Sequence, residues 1–275
     1  MAGVILVLCD GLGDAPARSH MGFMEHLVEE GRATRFTSRA ARPTNSRPNY
    51  ETLHTGVSPA IHGVTSNFVV RRSERPNTFS LAAARGLSTA ASAHSWMSEL
   101  YVATPFDVHS HMEVISDTGP IHHGRFYIGD NTPDVDVFAR AATLVSLYQP
   151  DYLLVHPMAV DNAGHEHGGA SGEYAAAVSH QDELLATTIP AWTAHGYTVL
   201  VTGDHGHKPE GGHGGNSRDE VETPLYVASG TPGRGDTNVT VNHTQIAPAI
   251  WGRLGLIDTP QDVSAANGLL TGLTG

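Results

Sequence analysis

Residues 202–215 read TGDHGHKPEGGHGG, which crowds Asp204, His205, His207 and His213 among glycines directly after the apolar run Tyr197–Val201. One carboxylate and two imidazoles, from Asp204, His205 and His213, make a donor set suited to zinc or a similar divalent ion. Asp204 and His205 are adjacent, so both reach one ion only where the backbone turns sharply, as Gly203 and Gly206 permit. His213 lies eight residues beyond His205 and reaches the same ion or a neighbouring one. His207 has no such positional reason and is expected to face solvent.

Three further segments carry donors or a nucleophile. Asp10 ends the apolar run Val4–Cys9 and precedes Gly11, so its carboxylate can meet a cation without crowding from the next side chain. Asp14 reads as a turn or helix-capping residue. Ser46 stands two residues before Pro48, and proline favours the first turn of a helix, where free amides attract an anion. A metal-coordinated serine there could attack phosphorus; the alternative is an N-cap or a surface turn. Asp161 and His165 are four apart with glycine between them and can converge on one ion. His167 ranks below His165, as a third donor or an exposed substrate-side residue.

These residues need a scaffold that brings distant segments to one edge. The apolar runs Val4–Cys9, Tyr152–Val155 and Tyr197–Val201 read as buried strands, and a further strand is expected at Pro224–Ala228. Helical spacing appears at Phe23, Met24, Leu27 and Val28, at Phe138, Ala141, Ala142 and Val145, and at Tyr174, Val178 and Leu185. A last helix is expected near residues 244–254, followed by a weakly patterned tail after Asp258. The alternation predicts a three-layer α/β/α sandwich with a mainly parallel sheet, whose ligands gather beyond the carboxyl ends of the strands. Residues 68–130 fit least well: a helix at 78–85, a small-residue strand at 87–93 and irregular histidines predict a small cap insertion over the site. One domain spanning 1–275 is expected.

Composition narrows the partners. A formal net charge of -12 opposes nucleic-acid binding, whereas bound cations would offset carboxylates. The 18 histidines outnumber the 16 lysines and arginines together, which favours metal chemistry. Cys9 is the single cysteine, so no intrachain disulfide forms, and its place in a strand predicts burial. The short N-terminal apolar run lacks basic residues before it and reads as neither signal peptide nor membrane span. A cytoplasmic protein without membrane or nucleic-acid partners is the expectation.

In order along the chain, the segments resemble the alkaline phosphatase superfamily, most closely its type I phosphodiesterase and nucleotide pyrophosphatase branch. That pattern runs from a strand-terminal Asp to a nucleophile ten residues before the glycine of a Thr-Gly, then His-Gly and Asn, Asp-x-x-x-His, Asp-His-Gly and a late His. Here Ser46 precedes Gly56 by that spacing, and Asn67 follows His62-Gly63. The stretch GDHGHKPEGGHGG is also similar to the glycolipid ethanolamine phosphate transferases of the same superfamily. Residues 68–150 match no motif of the branch.

The resemblance implies two divalent metal ions, zinc first and manganese second. Asp161, His165 and His213 would hold one, and Asp10, Asp204, His205 and the Ser46 oxygen the other. It further implies that Asn67 and the amide after Ser46 hold a nonbridging oxygen of a small phosphorylated substrate. The branch commonly has threonine at Ser46 and an aromatic residue at Arg47. Arg47 beside the nucleophile would pair with the extra charge of a phosphate monoester, or point outward as a solvated charge. Tyr50 stands where a sulfatase signature needs arginine, which argues against sulfatase activity. The expected function is metal-dependent phosphoester hydrolysis through phosphoserine at Ser46. The alternatives are a phosphotransferase, phosphomutase or phosphonate hydrolase on the same site, or a metal-binding relative without catalysis.

Overall fold

The computed structural model describes residues 3–257, so the tail after Asp258 lies outside the described residues. Nine strands form one sheet: β1 (Val4–Cys9), β2 (Ala33–Arg39), β3 (Thr89–His94), β4 (Glu113–Ile115), β5 (His123–Tyr127), β6 (Tyr152–Val155), β7 (Thr198–Gly203), β8 (Glu222–Ala228) and β9 (Gly235–Asn242). Their order is β4-β5-β3-β6-β1-β7-β8-β2-β9. The central run from β5 to β7 is parallel, while β4, β8 and β2 bring antiparallel pairings toward the edges.

Strand β1 shows why the sheet must be covered twice. All six of its residues are buried, as a parallel strand between helical layers requires. Ile5, Val7 and Cys9 face a core that includes Leu27, Phe138, Leu185 and Trp192. Val4, Leu6 and Leu8 face the opposite core, with Tyr50, Leu53, Phe79 and Ile250. The alternation of side chains along one strand therefore feeds both cores of an α/β/α sandwich. Helices Asp134–Tyr148 and Gly172–Ala194 supply one layer; Ser46–Thr55, Thr78–Ala84 and Ile246–Arg253 supply the other. Among the described residues no helix is long and apolar enough to cross a membrane.

The expected cap shrinks. Within 68–130, β3 lies between β5 and β6 in the middle of the parallel run, and β4 closes that edge. Strand β3 is fully buried but built from Thr, Ala, Ser and His, so its apolar signal is weak although its position is central. Helices Thr78–Ala84 and Ser95–Tyr101 pack on the sheet, so what remains for a cap within 68–130 is mainly the irregular stretch 68–77 and the segment around the short helix Val108–His111.

Candidate active site

Strands β6, β1 and β7 are neighbours, and each releases its chemistry at the carboxyl end. Asp10 follows β1, Asp204 follows β7, and β6 runs through His156 into the helix Ala159–His167, whose first turn carries Asp161. Gly11 makes the convergence possible: it has φ +71, and a Cβ there would lie 2.7 Å from the Asp161 Cα. Gly203 and Gly206 serve by leaving space. A Cβ would meet the Leu12 carbonyl at the first and the Asp219 carbonyl at the second, and neither has positive φ.

One cluster is wholly buried: Asp10, Asp204 and His205 bring a ligand atom each within 4.8 Å of one another. The amides of Gly11 and His205 donate to Asp204 Oδ1 at 3.0 and 2.9 Å. Tyr50 Oη and His156 Nε2 donate to Asp10 Oδ2, the latter at 3.0 Å. Each carboxylate thus keeps one oxygen, Asp10 Oδ1 and Asp204 Oδ2, buried without a hydrogen-bond partner. Those oxygens lie 3.5 and 3.3 Å from His205 Nε2. His205 Nδ1 donates to the Gly206 carbonyl at 3.2 Å, which leaves the Nε2 lone pair free; the Ser46 hydroxyl donates to it at 3.1 Å.

Burial pushes the Asp10 carboxyl up, yet its hydrogen bond to His156 and the charge of that ring, with the Tyr50 hydrogen bond, outweigh that and hold it below the usual carboxylate range. Burial and then repulsion from Asp10 push Asp204 well above that range. Burial, then the charge of His213, holds His205 well below an ordinary histidine. Two buried carboxylates facing one neutral imidazole, each with an orphaned oxygen, fit a divalent cation, which would relieve their mutual repulsion.

The second cluster joins Asp161, His165, His207 and His213. His165 Nε2 lies 3.5 Å from Asp161 Oδ2 and 3.1 Å from His213 Nε2, while His213 Nε2 lies 3.8 Å from Asp161 Oδ1. His213 Nδ1 donates to the Thr44 carbonyl at 2.8 Å, again freeing Nε2. This cluster is more open: 49% of the His165 side chain is exposed, against none of His205. The rings of His205 and His213 stack with centroids 3.7 Å apart, so the two clusters touch.

His207 departs from expectation. Its side chain is fully buried and donates to Asp161 Oδ1 at 2.7 Å. No spacing along the chain shows this, because room for the ring comes from Gly164 on the helix Ala159–His167, where a Cβ would meet the ring at 2.5 Å. His167 stays outside the cluster, half-exposed, with its ring 3.5 Å from Glu166. His156 and Tyr50 also escaped the sequence reading, although signals existed. His156 directly follows a strand, as Asp10 and Asp204 do, and Tyr50 shares a helix face with Ser46 at i,i+4.

Ser46 begins the helix Ser46–Thr55, with Pro48 in its first turn and all ten residues buried. The next residue corrects an expectation. Arg47 does not face solvent: it is 1% exposed, donates to Glu99 Oε2 at 2.8 Å and stacks 4.5 Å over Trp96, while its Nη1 is buried without a hydrogen-bond partner. A guanidinium whose charge Glu99 already offsets is a weaker counter-charge for a phosphate monoester. Arg47 instead fixes Asn67, donating from Nε to the Asn67 carbonyl at 3.1 Å and from its amide to Asn67 Oδ1 at 3.0 Å. The amide and Asn67 therefore face each other, and the Asn67 Nδ2 donor is what remains for a ligand. A cavity of about 530 Å³, lined by Pro16, Tyr174, Pro209 and Asp219, shares His207 with the clusters.

Strand-terminal carboxylates, two adjoining Asp/His clusters and a helix-initial serine on this sandwich are the arrangement of the alkaline phosphatase superfamily. The chain belongs to the type I phosphodiesterase / nucleotide pyrophosphatase family, whose model matches residues 4–217. It is 25% identical over 269 residues to the human catalytic subunit of GPI ethanolamine phosphate transferase 2, covering 92% of this chain and 26% of that protein. To GPI ethanolamine phosphate transferase 2 of Debaryomyces hansenii it is 26% identical over 218 residues, covering 77% and 24%. The chain thus spans about a quarter of the length of these curated relatives. Human ectonucleotide pyrophosphatase / phosphodiesterase 5 superposes with a TM-score of 0.73 at 12% identity, covering 94% of this chain and 96% of that one. A 2-O GAG sulfatase does so with a TM-score of 0.62 at 15% identity, covering 95% and 72%. At such identities these two structures speak for the fold alone.

Proposed function

We propose that the chain cleaves a small phosphodiester through a covalent phosphoserine at Ser46. Asp10, Asp204, His205 and the Ser46 oxygen would hold one divalent ion and Asp161, His165 and His213 the other, with zinc preferred over manganese. When bound, such a pair lowers the pKa of an attacking hydroxyl and offsets charge on the entering and leaving oxygens. The observation that carries the proposal is the Ser46 hydroxyl at a helix N-terminus, 3.1 Å from His205 Nε2 at the junction of the two clusters.

In the first half-reaction the Ser46 Oγ–P bond forms as the bond from phosphorus to the leaving alkoxide breaks. The Ser46 proton departs, and the leaving alcohol gains one. The Asn67 Nδ2 donor, held in place by the Arg47 amide, would orient a nonbridging oxygen. Water, or an alcohol, then attacks phosphorus and restores the Ser46 hydroxyl. The Arg47–Glu99 ion pair supports a diester, because Glu99 already offsets the guanidinium charge that the second charge of a monoester would call on, although Nη1 itself has no partner. The relatives named as ethanolamine phosphate transferases support capture of the intermediate by an alcohol, since the group they move carries a substituted phosphate.

Ser46→Ala tests the reading: turnover of a chromogenic phosphodiester should vanish while metal content stays unchanged, and retained turnover would remove the covalent step. An added alcohol should divert product from the hydrolysed to the transferred ester. A preference for monoesters would contradict the role given to Arg47.

A further inference from the structure

His207 belongs to neither ligand set above, yet it sits among the ligands. Its ring centroid lies 5.0 Å from His165, 5.2 Å from His213 and 5.7 Å from His205. Two roles fit a histidine so placed: a fourth protein ligand beside Asp161, His165 and His213, or a hydrogen-bond partner that fixes the Asp161 carboxylate. Distance and tautomer decide between them. Ligand atoms about 2.0–2.1 Å from a tetrahedral zinc ion stand about 3.3 Å apart. The separations of 3.1 Å between His165 Nε2 and His213 Nε2, 3.5 Å from His165 Nε2 to Asp161 Oδ2 and 3.8 Å from His213 Nε2 to Asp161 Oδ1 lie near that value, with the two histidines measured to different oxygens of the carboxylate. His207 Nε2 stands only 2.7 Å from Asp161 Oδ1, the length of a charge-assisted hydrogen bond.

The other ring nitrogen points the same way. His207 Nδ1 is buried without a partner, unlike His205 Nδ1 and His213 Nδ1, each of which donates to a backbone carbonyl. A ligand role through Nε2 would put the proton on Nδ1 and strand a buried donor without a partner. With the proton on Nε2, the unpaired atom is a lone pair and the proton is used on Asp161.

We infer that His207 is a positioning residue that holds Asp161 through Nε2–H, leaving Asp161, His165 and His213 as the three protein donors of the more open ion site. The consequence is functional. Three protein donors leave room for substrate or water, whereas four would close the site into a structural one. Gly164 is part of the device, because only a residue without a side chain admits the His207 ring.

The inference rests on the two-ion reading, and metal analysis separates the two claims: fewer than two ions per wild-type chain would count against that reading. The test compares His207→Ala, His207→Gln and Gly164→Ala by equilibrium dialysis with zinc and by visible absorption of the cobalt-substituted protein. His207→Ala should weaken one of the two ions by about 10–100-fold. His207→Gln keeps an N–H near Asp161 but has no imidazole, and should recover most of that loss with a wild-type cobalt spectrum. Gly164→Ala displaces the ring without touching a ligand and should behave like His207→Ala. Unchanged zinc affinity in His207→Ala would overturn the inference. So would His207→Gln as weak as His207→Ala with an altered cobalt spectrum, which would make His207 a ligand. Melting curves of the metal-free variants identify any that fail to fold, and Gly164→Ala then carries the test independently of His207 itself.

Discussion

The two clusters adjoin through the stacked rings of His205 and His213 but are built on opposite principles. In the inner one, Asp10, Asp204 and His205 are wholly buried and both carboxylates keep an orphaned oxygen. In the outer one, a single carboxylate stands among three histidines, and about half of the His165 side chain meets solvent. Burial of like charges makes the inner cluster unstable by itself and dependent on a cation. The outer cluster is chemically softer and tolerates an empty state, because neutral imidazoles do not repel one another as carboxylates do.

The largest expected effect comes from breaking the inner cluster. Asp204→Asn should reduce turnover by orders of magnitude, yet the metal-free variant should melt above the metal-free wild type. The sign follows from the raised Asp204 pKa. A buried carboxyl with a raised pKa makes the folded state less stable as pH rises above its ordinary value near 3.8, so at pH 7 its removal relieves a penalty. A lower melting temperature in that comparison would show the repulsion to be unimportant.

The next effect sharpens the contrast in exposure. His165→Ala should retain one ion per chain instead of two, and brief dialysis of the wild type against a chelator should remove one ion well before the other. Simultaneous loss of both would mean that the clusters act as a unit. A smaller effect serves as a control remote from the ligands. Burial holds His54 down to about 4 and His243 to about 3, whereas the unfolded chain takes up those protons near pH 6.5. Stability is therefore full above about pH 6.5 and falls as pH drops toward about 4, by at most roughly 1.4 kcal/mol per pH unit for each histidine. Denaturant midpoints of His54→Gln should lose part of that slope. The least effect belongs to Glu99→Gln, which loosens Arg47 without touching a ligand: diester turnover should fall several-fold with metal content unchanged.

Much of this contrast was legible along the chain, and the reason is geometric. Asp10 and Asp204 each follow an apolar strand, so parallel pairing of β1 and β7 places them side by side; Asp161 and His165 share one helical turn. Local pattern carries such information. The parts that were missed depend on partners remote in sequence. Arg47 looked available for substrate because Glu99 and Trp96 come about fifty residues later, in a helix packed beside strand β3. Strand β3 itself was legible only as a short run of small residues, because its neighbours β5 and β6, rather than its own side chains, give it a central position. His207 was assigned to solvent because nothing adjacent in sequence reveals the space over Gly164.

The account stands on the Ser46 oxygen being the atom that bonds to phosphorus. Rapid quenching of the metal-loaded protein during phosphodiester turnover, followed by peptide mass analysis, measures this directly. A phosphoryl or substituted phosphoryl adduct on Ser46, absent from Ser46→Ala, is the expected result. Full turnover without any adduct, together with an active Ser46→Ala variant, would contradict it.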